Sequence, residues 1–218
     1  MTSSMTVNRI FSSRWVWFII TLVAIGLLTA LGPTEKTLGS NARLVYLHGA
    51  WVWTGILSFL LASLTGLLAL ILRKPIWRKG NLALGRTGMV FWLTYLPMSL
   101  LVMQINWGGF FFDEPRWRVP FTFAIVGLLL QIGLALFSQP DLTAVGNLVF
   151  GVTLWISLRN TGTILHPDSP ILNSNSRSIQ VFFFGLLFLT LIAAAQIAGW
   201  WFRRTTCQTN KLRSQQPK

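Results

Sequence analysis

"LVYLHGAWVWTGILSFLLASLTGLLALIL", residues 44–72, holds no charged side chain and is bracketed by Arg43 and Arg73. Wound as a helix at about 1.5 Å per residue, such a run outreaches the roughly 30 Å hydrocarbon core of a bilayer. It is continuous rather than alternating, which argues against a barrel strand. Five further uncharged intervals recur along the chain, at 15–34, 87–112, 119–140, 142–158 and 178–202, the fifth span being the shortest, between Asp141 and Arg159. Of the 218 residues, 53% are hydrophobic and only 11% charged, too little charge to clothe a soluble domain of that size. The expected fold is therefore all-α, a polytopic membrane bundle of six transmembrane helices.

Residues 1–204 form one six-span domain, with external loops at 105–118 and 159–177, and residues 205–218 form a polar, basic cytoplasmic tail. The tail "RRTTCQTNKLRSQQPK" and the patch "RKPIWRKG" at 73–80 both read as disordered or lying on anionic headgroups. No internal repeat or soluble domain is evident. The first apolar run is longer than the core of a cleaved signal and is taken as a retained helix.

Lys and Arg set the direction. With a cytoplasmic N-terminus, the inner side holds Arg9, Arg14, Arg73, Lys74, Arg78, Lys79, Arg86, Arg203, Arg204, Lys211, Arg213 and Lys218. The outer side holds Lys36, Arg43, Arg116, Arg118, Arg159 and Arg177. Twelve against six places both termini in the cytoplasm. Glu35, Asp113, Glu114 and Asp168 fall outside, and only Asp141 inside. The net charge of +13 thus belongs to the flanks of membrane helices, and nucleic acid is no expected partner; membrane lipid is. The single cysteine, Cys207, excludes an intrachain disulfide and a C-x-x-C-H haem attachment site.

This topology gathers the unusual residues on the outer face. "NWGGFFFDEPRW", residues 106–117, packs two Trp, three Phe and an acidic pair between spans three and four. The only two histidines share that side: His48 lies five residues after Arg43, about 7 Å along its helix, and His166 lies in the loop after span five. Singly, each has an ordinary reading. A histidine near a helix end is usually satisfied by water or backbone, a histidine in a Pro-rich loop is usually solvated, and Trp favours headgroup depth. Jointly they match another chemistry. Two neutral imidazoles can ligate one iron, one on each axial face. A porphyrin also needs flat apolar surface, which Trp107, Phe110, Phe111, Phe112 and Trp117 offer, with Trp51 one turn along from His48. Arg116 and Arg118, with Arg43 or Arg159, could meet its propionates. Gly108 and Gly109 would admit backbone close to a flat ligand.

These residues resemble the haem-handling membrane proteins of cytochrome c assembly, of the CcmC type, from span two onward. "RLVYLHGAWVW" is similar to that family's Arg-x-x-Tyr-x-His and the helix behind it, "NWGGFFFDEPR" to its external tryptophan-rich WWD loop, and "NTGTILHPDS" to its Asn-Thr-Leu-His region. The resemblance implies that His48 and His166 are the haem ligands, that Trp107 and Gly108 open the loop, and that Asp113 holds its acidic position. The chain departs from the family in three ways. Three Phe stand where Trp clusters, the second Trp-Gly unit is missing, and Gly49 and Ala50 replace a Pro after the first histidine. The resemblance further implies a cytochrome c biogenesis factor of the plasma membrane, not an enzyme. It would hold b-type haem transiently on the external side and pass it to a haem chaperone or apocytochrome c. Subunits of an ATP-driven transport complex are implied partners, since the chain has no G-x-x-x-x-G-K motif. The rival readings are a b-type haem electron carrier, which usually keeps both histidines within helices, and an accessory membrane subunit without haem.

Overall fold

The computed structural model describes residues 13–166, 171 and 173–214, residues 206–214 by backbone alone. Arg9, Asp168 and Lys218 lie outside the described residues, as do the residues 1–12 that precede the first apolar run.

Among the described residues six helices follow one another: α1 (Arg14–Ala30), α2 (Ala42–Leu72), α3 (Pro75–Trp107), α4 (Pro115–Phe137), α5 (Pro140–Asn160) and α6 (Arg177–Ser214). Among the described residues the only extended pairing is a single antiparallel bridge between Glu35 and Gly39. The molecule is an all-α bundle, and α2 to α6 are each long and apolar enough to cross a membrane. The 17 residues of α1 reach about 25 Å, short of a full span. The apolar run that extends to Thr34 stops being helical at Ala30, just ahead of Gly32 and Pro33.

Proline and left-handed caps set the boundaries. Arg73 takes φ 52° and its N–H closes on the Ala69 carbonyl at 3.0 Å, ending α2. Pro75, with φ preset for a helix and no N–H to leave unpaired, starts α3 two residues later. The basic patch at 73–80 is therefore mostly the first turns of α3, which corrects the expectation of disorder. The charge-bounded interval starting at 87 marked where cations stop, and the helix starts at Pro75. Long basic side chains ride on a helix and carry their charge outward. Arg78 does this by pairing with Asp141 of α5 at 2.7 Å, and Arg86 by lying 5.0 Å over the Trp201 ring of α6. Pro115 and Pro140 begin α4 and α5 in the same way. At the C-terminal end, α6 continues to Ser214, so residues 205–214 of the expected tail are helical.

The central helix is α2, which packs on α1, α3, α5 and α6. Small residues allow the approach: Ala50, Ala62 and Ala69 are fully buried, and a Cβ on Gly66 would sit 2.7 Å from the Ala144 carbonyl of α5. One apolar cluster joins α1, α2 and α6 around Tyr46, Phe183 and Leu186. A second joins α2, α3, α4 and α5 around Phe59, Trp92, Tyr95 and Phe150. Below the second lies an amide chain. Gln131 donates to Asn147 Oδ1 at 2.7 Å, Asn147 to Asn81 Oδ1 at 3.0 Å, and Asn81 to the Ala62 carbonyl at 2.7 Å. It stitches α4, α5, α3 and α2 together, with each amide satisfied by its neighbour as an apolar surround demands.

Alternating helices leave two ends. Arg78–Asp141 and the edge-on Trp15–Trp200 pair, 6.2 Å apart, mark one. The other carries the start of α2, the α3–α4 loop and the α5–α6 loop. Tyr46 meets Phe182 there at 5.7 Å, and Arg43 Nε donates to the Gly32 carbonyl at 2.8 Å.

Candidate functional site

Both histidines stand at this second end. His48 is in the second turn of α2, and His166 is in the bend after α5. Their imidazoles lie within electrostatic reach of one another. The ring of His48 packs 5.8 Å from Tyr95 of α3, and its Nδ1 is enclosed without a hydrogen-bond partner.

The aromatic loop is compact. Gly108 closes α3 with φ 71°, a left-handed turn that a side chain would strain, and the loop runs only from 108 to 114 before α4 begins. Residues 105–107 and 115–118 of the expected loop are helical. Phe110 and Phe112 stack 6.0 Å apart at 23°, and Phe111 meets Trp107 edge-on at 5.9 Å. Trp117 is 6% exposed and stacks on Phe121 at 5.7 Å. Phe110, Phe111 and Phe112 instead stay 54%, 40% and 56% exposed. The three phenylalanines form an open apolar shelf, and Trp117 is its foundation.

The shelf and the His166 loop are joined by a residue that the sequence did not single out. Glu114 caps α4 through the Arg116 N–H and also accepts the N–H of Leu165 at 2.7 Å and of Ile164 at 3.3 Å. It is 2% exposed. Burial pushes its carboxyl up, but the backbone N–H groups of Leu165, Ile164, Arg116 and His166 outweigh this and leave it below the usual carboxylate range. The signal available in the sequence was an acidic residue directly before Pro115, the usual N-cap position. Its reach to a loop fifty residues away carries no local signature.

Phe110, Phe111, Phe112, Asp113, Glu114, Ile164 and Leu165 line a recess of about 230 Å³, so the two loops share one surface. Such a recess is too small to enclose a porphyrin and suits one lying across it. A second, wider recess of about 570 Å³ runs between α4 and α5, lined by Arg118, Thr122, Ser157 and Thr161 among others. Arg118 therefore belongs to its wall. Arg43 is engaged with Gly32, Arg159 lies 5.7 Å from the Trp155 ring, and the Arg116 N–H serves Glu114. Trp51 turns into the α2–α3 seam, 4.7 Å from Phe91, and donates to Thr94 Oγ1 at 2.8 Å.

Among the described residues no three His, Cys, Asp or Glu side chains gather to hold a bare metal ion. A porphyrin makes no such demand, because its ring supplies four nitrogen donors and it needs from the protein only axial groups and an apolar face. An enclosed, unpartnered imidazole nitrogen, a second imidazole near it and an exposed phenyl shelf fit that request.

The fold defines a polytopic helical membrane protein with both histidines and an aromatic loop at one end of the bundle. No family model matches the chain. It is 23% identical over 187 residues to a protein of Arabidopsis thaliana named "Putative cytochrome c biosynthesis ccmC-like mitochondrial protein", covering 81% of this chain and 72% of that one. A protein of Marchantia polymorpha with the same name is 22% identical over 185 residues, covering 80% and 79%. The chain is a distant relative of the CcmC-like cytochrome c biosynthesis proteins.

Proposed function

We propose that this protein serves cytochrome c maturation by holding haem at the outer membrane face and presenting it to an acceptor. Haem is the cargo. It brings an iron with two open axial positions and vinyl groups that an acceptor can reach at an exposed edge. His48 and His166 supply the axial nitrogens, and the Phe110–Phe112 shelf covers one face. Asp113, Trp107, Gly108 and Trp117 shape the loop, and Arg116 stands beside it for the propionates. Trp51 steadies the helix behind His48. Glu114 keeps the shelf and the second ligand's loop in one register, so the site is preformed. The protein turns over no substrate of its own; its work is binding and release.

The single observation that carries this reading is the Glu114 clamp, which ties the aromatic loop to the loop of one histidine at the end where the other stands. The distant relatives bear a cytochrome c biosynthesis name, and the charge pattern points both termini to the cytoplasm. The acceptor is a haem chaperone or an apocytochrome c, with an ATP-driven complex as a partner in release, and the setting is a multi-pass plasma membrane protein with its site external. A resident electron-carrier haem fits less well, because His166 stands on a loop and not within the bundle.

The test is haem titration of the purified protein in detergent. A Soret band that shifts on binding is expected, weakened in both His48→Ala and His166→Ala. A haem spectrum indifferent to both substitutions would refute the proposal. Reversible reduction by quinol without transfer to apocytochrome would favour the electron carrier.

A further inference from the structure

We propose that Tyr95 is the positioning residue of His48, its hydroxyl pairing with Nδ1 so that Nε2 is presented to the iron; this rests on the reading of His48 as a haem ligand. A neutral imidazole carries one N–H. If Nε2 gives its lone pair to a metal, the proton must sit on Nδ1, and a buried Nδ1–H needs an acceptor. His48 Nδ1 is enclosed and has no partner. The Tyr95 hydroxyl is likewise enclosed and has no partner. Their rings face each other across the α2–α3 seam, centroids 5.8 Å apart at 49°.

Two orphaned polar groups side by side in an apolar wall are each costly, and each is what the other lacks. Two other polar side chains of this seam are already committed. Trp51 Nε1 donates to Thr94 Oγ1, which itself donates to the Val90 carbonyl at 2.7 Å. Tyr95 cannot drift away, because it is 2% exposed and packs 5.0 Å from Trp92, whose indole N–H is fixed on the Pro120 carbonyl at 3.1 Å. The imidazole is the movable partner. Rotation about its soft Cβ–Cγ bond brings Nδ1 to the hydroxyl and turns Nε2 outward. The α3 scaffold thereby sets the tautomer and aim of a ligand carried by α2.

The experiment uses the full chain with ring-¹⁵N histidine. In the haem-free wild type, the His48 signal should show the Nδ1–H tautomer, and Tyr95→Phe should shift it toward Nε2–H, the form preferred in water. With haem, Tyr95→Phe should bind roughly 10-fold more weakly. Its iron potential should also rise, since a histidine without an acceptor on its N–H is a poorer donor. Tyr95→Phe removes one oxygen and keeps the ring. Should that variant fail to fold, the wild-type tautomer alone decides: Nε2–H at His48 overturns the proposal. A folded variant with unchanged tautomer and unchanged haem affinity overturns it too. Haem binding that survives His48→Ala would refute the ligand reading instead, while the haem-free spectra would still decide on Tyr95.

Discussion

Glu114 Oε2 accepts the backbone N–H of Leu165 at 2.7 Å, joining residues fifty-one apart in sequence and next to one another at the histidine-bearing end of the bundle. The carboxylate also caps α4, so one side chain fixes where a helix starts and where a histidine loop rests. Replacing it with Ala removes the cap and leaves several loop N–H groups without their acceptor, at a cost of about 2–4 kcal/mol in local stability. Hydrogen exchange at Ile164, Leu165 and His166 should speed up strongly in Glu114→Ala and less in Glu114→Gln, which retains one acceptor oxygen. Unchanged exchange would mean that something else holds the loop.

Acid should release the same clamp. The Glu114 carboxyl is held below its usual value in the folded protein, so its contribution is fully present above the ordinary carboxylate range, near 4.5, and is lost as pH falls through the depressed value. Loop protection in the wild type, corrected for the intrinsic pH dependence of amide exchange, should therefore fall below about pH 4.5 and stay flat above it. Glu114→Gln should show no such step.

Exposure separates the shelf from its foundation. Phe110 and Phe112 are more than half exposed, so Phe110→Ala or Phe112→Ala should change stability by no more than about 0.5 kcal/mol while cutting haem occupancy. Trp117 is 6% exposed, stacked on Phe121 and tilted against Phe112, so Trp117→Ala should cost about 3–5 kcal/mol and lower the membrane level itself. Thermal unfolding in detergent, read beside the Soret intensity, distinguishes the two outcomes. If Phe110→Ala destabilised as much as Trp117→Ala, the shelf would be structural.

The amide chain within the bundle makes a separate prediction. Asn147→Ala strands both the Gln131 amide and the Asn81 side chain. Interhelical hydrogen bonds in membranes are worth about 0.6 kcal/mol on average, so the loss should be about 1–2 kcal/mol with no change in haem spectrum. Gly151→Ala, whose Cβ would lie 2.7 Å from the Phe59 carbonyl, should cost about 1–3 kcal/mol by overpacking α2 against α5. A larger effect on haem than on unfolding in either variant would contradict this division of labour.

The spans were legible because a bilayer imposes one strong rule, a long uncharged run, and α2 from Ala42 to Leu72 obeys it almost residue for residue. The start of α3 was not, because Arg78, Lys79 and Arg86 are helical yet charged, and a charge-bounded search stops at them. The amide chain of Asn81, Asn147 and Gln131 stayed hidden for a related reason. Single polar residues in apolar runs look alike until packing reveals which of them meet. At the site, the phenyl-rich loop and both histidines could be read directly, since their side chains are rare in this chain. The partners that govern them, Glu114 and Tyr95, act through contacts between helices distant in sequence. Trp51 shares a helix face with His48, yet it serves the α2–α3 seam.

Electron paramagnetic resonance of the ferric haem complex tests the two-histidine claim most directly. The account predicts a low-spin bis-imidazole signal in the wild-type protein, converted to a high-spin signal by His48→Ala and, separately, by His166→Ala. A low-spin signal that persists unchanged in both variants would contradict it.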